Sequence, residues 1–438
     1  MTPKLKLIIL ILILITSISS VILLDLPLFW GLLSTCLMGF FLIKYKRHLP
    51  KLILHNTKSV YKTMLLMFMI SITLPVLMSS GTLPTLIFYV SDWMVGHNLL
   101  LSAFWVSMLL SMVLGSAIGS LTILLPLFSS IAIQSGMNYP SLLGALISGI
   151  YIGDRCSPMS SALHLLSQLT ETDYRKNVKT LLLSALIPFM LTSVLFLFIG
   201  KETEITTQMV SEINTLNQQF DLSLWRLLPL CLMLILIVIR QPISRVLGFV
   251  FLLCSTMTLF QGVELKTFFD ALIHGYSNLE YAYIRTSGFK QMINVILVIL
   301  LSGVLNSYLE ADALIKPMID PFTIRLRSKR HLIVNTSLLS ILLCMITCSQ
   351  AMTSIITGKY LSPYFEKHKT PKEYLVMACS NTGLSLVAMI PWNVNGIMIS
   401  ELSGIKTLNY FSHSYFILIL LIFTIVIYPV FIDRRLTR

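Results

Sequence analysis

Charge is what this sequence has least of. Only 12% of its 438 residues are charged, about half the share that soluble domains carry. Acidic side chains are the scarcest, 19 against 32 basic ones. With 55% hydrophobic residues besides, the chain cannot clothe a core in a water-compatible surface, and a soluble fold is excluded. Further absences narrow the class. There is no GxxxxGK[ST] loop, so an ATP-driven pump is set aside, and no HExxH, no GxSx nucleophile with a positioned histidine and no GxGD context with a second aspartate, so an intramembrane protease, and with it an enzyme, is not expected. The alternating ten-residue pattern of an outer-membrane barrel is missing. Seven cysteines (Cys36, Cys156, Cys231, Cys254, Cys344, Cys348, Cys379) lie mostly in apolar stretches without a CxxC or clustered histidines. Neither a disulfide framework nor a zinc site is indicated, and no prosthetic group is expected.

What is there instead is a series of apolar runs long enough to span a bilayer, such as Leu7 to Leu24 and Val178 to Ile199. A helix satisfies its backbone within itself where no water can. The expected fold is an all-α polytopic membrane protein of about ten full spans plus two re-entrant hairpins. The net charge of +13 comes from basic residues clustered in short loops, so it marks orientation and not a nucleic-acid partner. Lipid is the expected surroundings. Lys44, Lys46, Arg47, Lys51, Lys58 and Lys62 place their loop in the cytoplasm. The N-terminus with Lys4 and Lys6 then lies there too, as does the C-terminus with Arg434 and Arg435, in a bacterial inner membrane. The first 24 residues are too long an apolar run for a signal peptide and lack a small-residue cleavage site, so they form the first span.

Several runs are broken. Met64 to Val90 is interrupted by Ser79 to Pro84, with Thr82 and Pro84 shaping the break, and Leu99 to Ile133 contains Gly115, Gly119 and Pro126. Pro140 to Leu169 is divided at Gly153-Asp154-Arg155-Cys156-Ser157-Pro158, which suits a re-entrant hairpin because each half is short and the turn polar. After Val178 to Ile199 come an acidic loop (Glu202, Glu204, Glu212, Asp221), spans at Leu224 to Ile239 and Val246 to Phe260 around Arg240 and Arg245, and a long outer loop from Gln261 to Lys290. The second half repeats the order: Met292 to Leu309, a basic loop (Arg325, Arg327, Lys329, Arg330), an interrupted run at Leu332 to Ile356, a second hairpin at Tyr374 to Leu402 split by Asn381-Thr382-Gly383 and Ile390-Pro391-Trp392-Asn393, and Phe416 to Phe431. The halves enter the membrane from opposite sides. Two inverted-topology repeats with broken helices mark secondary transporters. The expected division is 1–59 (two helices and a basic loop), 60–200 (first repeat), 201–290 (linking helices) and 291–438 (second repeat). One loop disagrees, because this topology puts Lys359, Lys367, Lys369 and Lys372 outside.

Four motifs occur in order. Ser148-Gly149-Ile150-Tyr151-Ile152-Gly153-Asp154-Arg155-Cys156-Ser157-Pro158-Met159-Ser160 resembles the SGAYFGDKxSPxS signature of the NhaC-type sodium/proton antiporters. Ile390-Pro391-Trp392-Asn393 is similar to that family's IPWN segment, Ser80 to Ile87 to its SGTxPTLI stretch, and Gly404 to Leu408 to the segment before its last span. The resemblance implies an antiporter moving a cation against protons, within a superfamily that also holds malate/lactate exchangers. The chain departs from the family at two places. Ser161, Ala162, Leu163 and His164 stand where an acidic residue and Thr-Thr-Asn follow the signature, and Ser380 and Asn381 replace a Glu-Asp pair. The alternative is therefore a Na⁺- or H⁺-coupled exchanger of a small organic anion or amino acid. A homodimer stays open.

The expected ion site follows from the cost of charge at membrane depth. Asp154, with Ser157, Ser160 and freed carbonyls, would offer oxygen ligands to Na⁺, a transported cation rather than a resident metal. A proton would compete for the same carboxylate. The alternative is that Asp154 and Arg155 form a structural pair. Asn381, Thr382 and Asn393 sit at the corresponding break and would either complete a cation shell, bind an organic substrate or cap broken helices. Gly153, Arg155, Pro158 and Pro391 support the breaks. His164 faces either the same cavity or the packed interior.

Overall fold

The computed structural model describes residues 2–44, 48–94, 96–134, 137–200, 220–239, 241–276, 288–323 and 328–431. Among these no strand occurs. Lys46, Arg47, Glu202, Glu204, Glu212, Arg240, Arg325, Arg327, Arg434 and Arg435, used above for orientation, lie outside the described residues.

The chain opens with α1 (Pro3–Leu23) and α2 (Phe29–Leu42), followed by α3 (Leu49–Ser79) and α4 (Thr82–Met94), α5 (Leu99–Leu114) and α6 (Ala117–Gln134), α7 (Tyr139–Cys156) and α8 (Ser161–Thr170), then α9 (Tyr174–Ile199). The middle holds α10 (Leu228–Val238), α11 (Ile243–Phe260) and α12 (Leu265–His274). The second half comprises α13 (Phe289–Ala311), α14 (Ile315–Thr323), α15 (Lys329–Thr347), α16 (Gln350–Lys367), α17 (Glu373–Asn381), α18 (Gly383–Leu386), α19 (Val394–Ser403), α20 (Thr407–Phe411) and α21 (Tyr415–Ile422). Four of these, α1, α9, α13 and α15, are individually long and apolar enough to cross a membrane, and the pair 373–389 and 394–403, bent by 42°, makes a fifth if taken as one span.

The surface is apolar and the interior is not. Phe41, Phe198 and Phe260 are 81%, 82% and 92% exposed, whereas Thr35, Thr122 and Thr424 are buried. These threonine hydroxyls donate to the carbonyl four residues earlier, at 2.7 to 2.8 Å, which satisfies them without a partner helix.

Three sequence-based expectations are corrected. The basic loop after α2 is largely helix, since Lys51, Lys58 and Lys62 lie in α3, and the long outer loop contains α12. The division of the Asp154 segment falls at Ser157–Ser160 and not at Gly153, because Pro158 drives the residue before it out of the helical region, and Ser157 is extended at φ −67°, ψ 140°. Gly153 and Asp154 are helical. Gly153 is there for packing: a Cβ on it would lie 2.3 Å from the Met112 nitrogen on α5.

The third correction moves the hairpins. Along α7, Gly149 abuts Phe104 and Ser107, Gly153 abuts Ser111 and Met112, and Gly115 abuts Met159, so α5 and α7 run parallel. The starts of α5 and α7 are thus at one level, and α6, which joins the end of α5 to the start of α7, must turn back. Residues 99–134 are the hairpin. Asn98 at the start of α5 donates to the Gly200 carbonyl beyond the end of α9, so α9 runs antiparallel to α5 and its start lies at the opposite face. α7–α8, which leads to that start, is a broken span. The second half follows the same logic. Thr382 contacts Ser337, Gly383 abuts Ser340, Asn393 contacts Cys344, and the Val394 N–H donates to Cys348 O. Hence α15 runs parallel to α17–α19, and α15–α16 (329–367) is the hairpin.

This arrangement removes the loop that disagreed. Lys359 and Lys367 are on α16, not in a loop. Gln350 at the start of α16 meets Asp154 beside the start of α8, and Gly358 lies against Leu166 and Leu169. The two helices leave the break together, so Lys367, Lys369 and Lys372 emerge on the same face as Arg175, Lys176 and Lys179.

Candidate functional site

The breaks are built to hold one another. Gly115 ends α5 at φ 64°, ψ 24°, a left-handed conformation that glycine adopts without steric cost. A Cβ there would lie 2.4 Å from the Met159 carbonyl carbon in the α7–α8 break. Ser157 Oγ donates to the Met112 carbonyl at 2.6 Å, one turn before that left-handed residue. In the other half Cys348 ends α15 at φ 55°, ψ 15°, and Asn393 Nδ2 donates to the Cys344 carbonyl at 3.2 Å. Each hairpin tip is thus strapped by a polar side chain from the broken span beside it.

Asp154 lies where the two constructions meet. Its carboxylate Oδ1 accepts the Ala117 N–H at 3.1 Å, at the start of α6, and Oδ2 accepts from Gln350 Nε2 at 3.3 Å, at the start of α16. Both helix starts carry the positive end of a peptide dipole. Gln350 Nε2 also reaches the Leu384 carbonyl at 3.1 Å, and its Oε1 accepts from Asn395 Nδ2 at 3.4 Å, which in turn donates to the Tyr151 hydroxyl at 3.2 Å. One half-buried carboxylate therefore touches the tips of both hairpins. A narrow cavity of about 10 Å³, the space of about one water, is lined by Tyr151, Asp154, Arg155, Gln350 and Ser380, with Ala162 and Leu163 from the start of α8.

Arg155 does not pair with Asp154. Its side chain turns the other way, Nη1 donating to Asn381 Oδ1, with the guanidinium carbon 5.6 Å from the Phe416 ring centroid. Asn381 Nδ2 donates to Ser184 Oγ at 3.2 Å and to Thr424 Oγ1 at 3.1 Å. The Asp154–Arg155 turn and the Asn381 break are thereby in contact. The remaining expected residues serve the backbone. Ser160 caps α8, accepting from the Leu163 N–H at 3.1 Å, and Asn393 Oδ1 accepts from the Asn395 N–H at 3.2 Å at the start of α19. Thr382 donates to the Ala378 carbonyl at 2.6 Å. Pro158 is exposed within the break. His164 stacks on Tyr174 at 3.9 Å, and its Nε2 lies 3.3 Å from the Pro158 carbonyl, on the exposed side of the break.

Thr82, Pro84 and Pro391 lie elsewhere. Thr82 Oγ1 is 2.9 Å from Ser80 Oγ at the α3–α4 break, whose Ser80 carbonyl accepts from Arg226 Nη1 at 2.9 Å. Pro84 is in the first turn of α4. Pro391 lines a wider cavity of about 300 Å³ with Asp25, Glu401 and Lys406, where Lys406 Nζ and Asp25 Oδ1 are 2.6 Å apart. Gln350, Tyr151 and Asn395 were not singled out in the sequence. The polar pair Ser349-Gln350 inside an apolar run was the available signal.

Comparison with known proteins agrees with the motifs. The model of the Na⁺/H⁺ antiporter family matches residues 149–431. The malate-2H⁺/Na⁺-lactate antiporter of Bacillus subtilis is 24% identical over 409 residues, covering 90% of this chain and 87% of that protein. The Na⁺/H⁺ antiporter NhaC of Alkalihalophilus pseudofirmus is 25% identical over 400 residues, 89% of this chain and 87% of its own length. The Na⁺/H⁺ antiporter NhaC of Bacillus subtilis is 22% identical over 384 residues, 85% of each chain.

Proposed function

From its membership of the Na⁺/H⁺ antiporter family, in which the chain is a multi-pass membrane transporter and not an enzyme, we propose that it exchanges a cation, Na⁺ in the first place, for protons across the bacterial inner membrane. The observation that carries this reading is the Asp154 carboxylate accepting from the starts of α6 and α16 at once. A carboxylate so placed can take a proton or a desolvated cation but not both. Either exchange changes the charge between two hairpin tips and biases how they sit against each other.

The arrangement of the helices supports two inverted repeats, α5–α9 and α15–α21 with the residues that follow it. Each consists of a hairpin broken at a left-handed residue, a broken span strapped to it and a closing helix. The basic turns after α8 and α16 emerge on one face, which the charge rule makes cytoplasmic, with the termini on that side and the apolar outer surface in lipid. In the sequence-based division these repeats fall within 60–200 and 291–438.

The test is transport by purified protein in proteoliposomes with an internal pH dye. A Na⁺ gradient is expected to drive proton movement in the wild type and not in Asp154→Asn, which keeps the shape of the side chain but cannot titrate. Wild-type coupling by that variant would assign Asp154 a structural part and send the proton by another route.

A further inference from the structure

Arg155 is 5% exposed, and only one edge of its guanidinium is used. Nη1 donates to Asn381, whereas Nε and Nη2 find no acceptor among the described residues. The Cys156 thiol and the Tyr428 phenol lie near it, but Tyr428 donates its own hydrogen to the Ser184 carbonyl and a thiol is a weak acceptor. No carboxylate forms an ion pair with Arg155 among the described residues, since Asp154 faces Ala117 and Gln350. A cation in a membrane interior with no countercharge is expensive. The free edge has a defined shape: Nε–H and Nη2–H point in parallel, as one side of a fork that carboxylates accept with both oxygens.

A second feature carries the same sign. Arg155 lines the narrow cavity together with Ala162 and Leu163, residues of the first turn of α8. The start of this ten-residue helix presents first-turn N–H groups that have no intrahelical partners and the positive end of its dipole. Two independent donors of positive potential thus meet in one cavity beside Asp154, where a Glu-Asp pair of the resembled family is replaced by Ser380 and Asn381.

We propose that this chain carries a binding site for the carboxylate of a small organic anion, with the Nε–Nη2 edge of Arg155 and the start of α8 as its receptors. It rests on the transporter reading above and deepens it: Asp154 holds the coupling cation or proton, and Arg155 holds the anion moved with it or against it. In the described arrangement the cavity is closed between the α7–α8 break and α16, so the anion enters when these elements separate, as alternating access requires.

The experiment uses the whole protein, in detergent for binding and in proteoliposomes for flux. Radiolabelled malate and lactate are offered with and without Na⁺, with acetate, alanine and chloride as competitors. Saturable malate or lactate binding, displaced by acetate but not by equal chloride, is the expected result. Arg155→Lys keeps the charge but loses the fork, and should weaken binding roughly 10- to 100-fold, the loss of a charge-assisted hydrogen bond; Arg155→Gln should abolish it. If Arg155→Gln does not fold, as judged by size-exclusion chromatography, Arg155→Lys alone decides. Equal displacement by chloride, or undiminished binding by Arg155→Lys, would overturn the proposal. So would a wild type that drives Na⁺-dependent ΔpH yet binds no member of the panel, which leaves the antiporter reading intact. Carboxylate binding without any Na⁺-driven ΔpH instead upholds the site and sinks Na⁺/H⁺ exchange.

Discussion

Replacing Gly153 by Ala tests whether the close approach of α5 and α7 is what places Asp154. Gly153 is helical, so the substitution brings no backbone strain and even gains about 0.5–1 kcal/mol of helix propensity. Its cost lies in space. The new Cβ would sit 2.3 Å from both the Met112 nitrogen and the Ser111 carbonyl carbon, while ordinary contact needs about 3.5 Å. Because those atoms are backbone, no rotamer change relieves the clash, and α5 and α7 must part by about 1 Å. Overpacking of this kind costs about 1–3 kcal/mol, leaving a net destabilisation of about 0–2.5 kcal/mol that the fold should survive. The geometry at Asp154 should not survive it. The Ala117 N–H bond to Oδ1 is 3.1 Å now, and a further ångström takes it beyond hydrogen-bonding range. Losing one charge-assisted hydrogen bond is worth a factor of about 10–100. In proteoliposomes with matched protein content, Gly153→Ala should therefore show Na⁺-driven ΔpH reduced at least about tenfold, with a melting temperature only a few degrees lower. Full exchange activity with an unchanged melting temperature would refute the reasoning, because it would mean that the two helices tolerate separation without disturbing the carboxylate.

Asp154→Glu should retain part of the coupling with a displaced pH profile, since the titratable group survives about one methylene further out, whereas Cys156→Ala should transport like the wild type; the same ΔpH assay checks both. Asp312→Asn should destabilise the protein by about 3 kcal/mol, because Asp312 pairs with the buried Lys6 of α1 and accepts from the Lys44 N–H at 3.1 Å; thermal unfolding of that variant beside a Lys6→Met/Asp312→Leu double variant, expected to recover much of the loss, would show otherwise if both melted alike. Asp221 is held below the usual aspartate value of 3.8 by hydrogen bonds from Ser223 and by Arg226, the residue that grips the Ser80 carbonyl. A depressed carboxylate stabilises at neutral pH and loses that contribution as the pH falls through the range below 3.8, so part of the acid sensitivity of wild-type melting should be missing in Asp221→Asn, and identical acid profiles would count against the anchor.

The sequence by itself determined the solvent of this protein and the position of most breaks. Scarce charge and long apolar runs leave only membrane helices able to satisfy the backbone. Ser80-Gly81, Gly115, Pro158 and Asn381-Thr382 marked where helices stop, because glycine and proline act through local backbone conformation. Which breaks become hairpins was not legible, because apolar length is the same for a helix that crosses and one that turns back. That choice is made by helix direction, and direction is fixed by contacts such as Gly149 on Ser107 and Gly383 on Ser340, more than 40 residues apart in the chain. The same limit applies to the site. Asp154 announced itself as a rare acid in an apolar run. Only tertiary structure decided that its partners are Ala117 and Gln350, and that Arg155, its neighbour in sequence, points away to Asn381. On a helix, adjacent residues project about 100° apart, so covalent neighbours face different surroundings, and their chemistry is set by whichever helix is packed there.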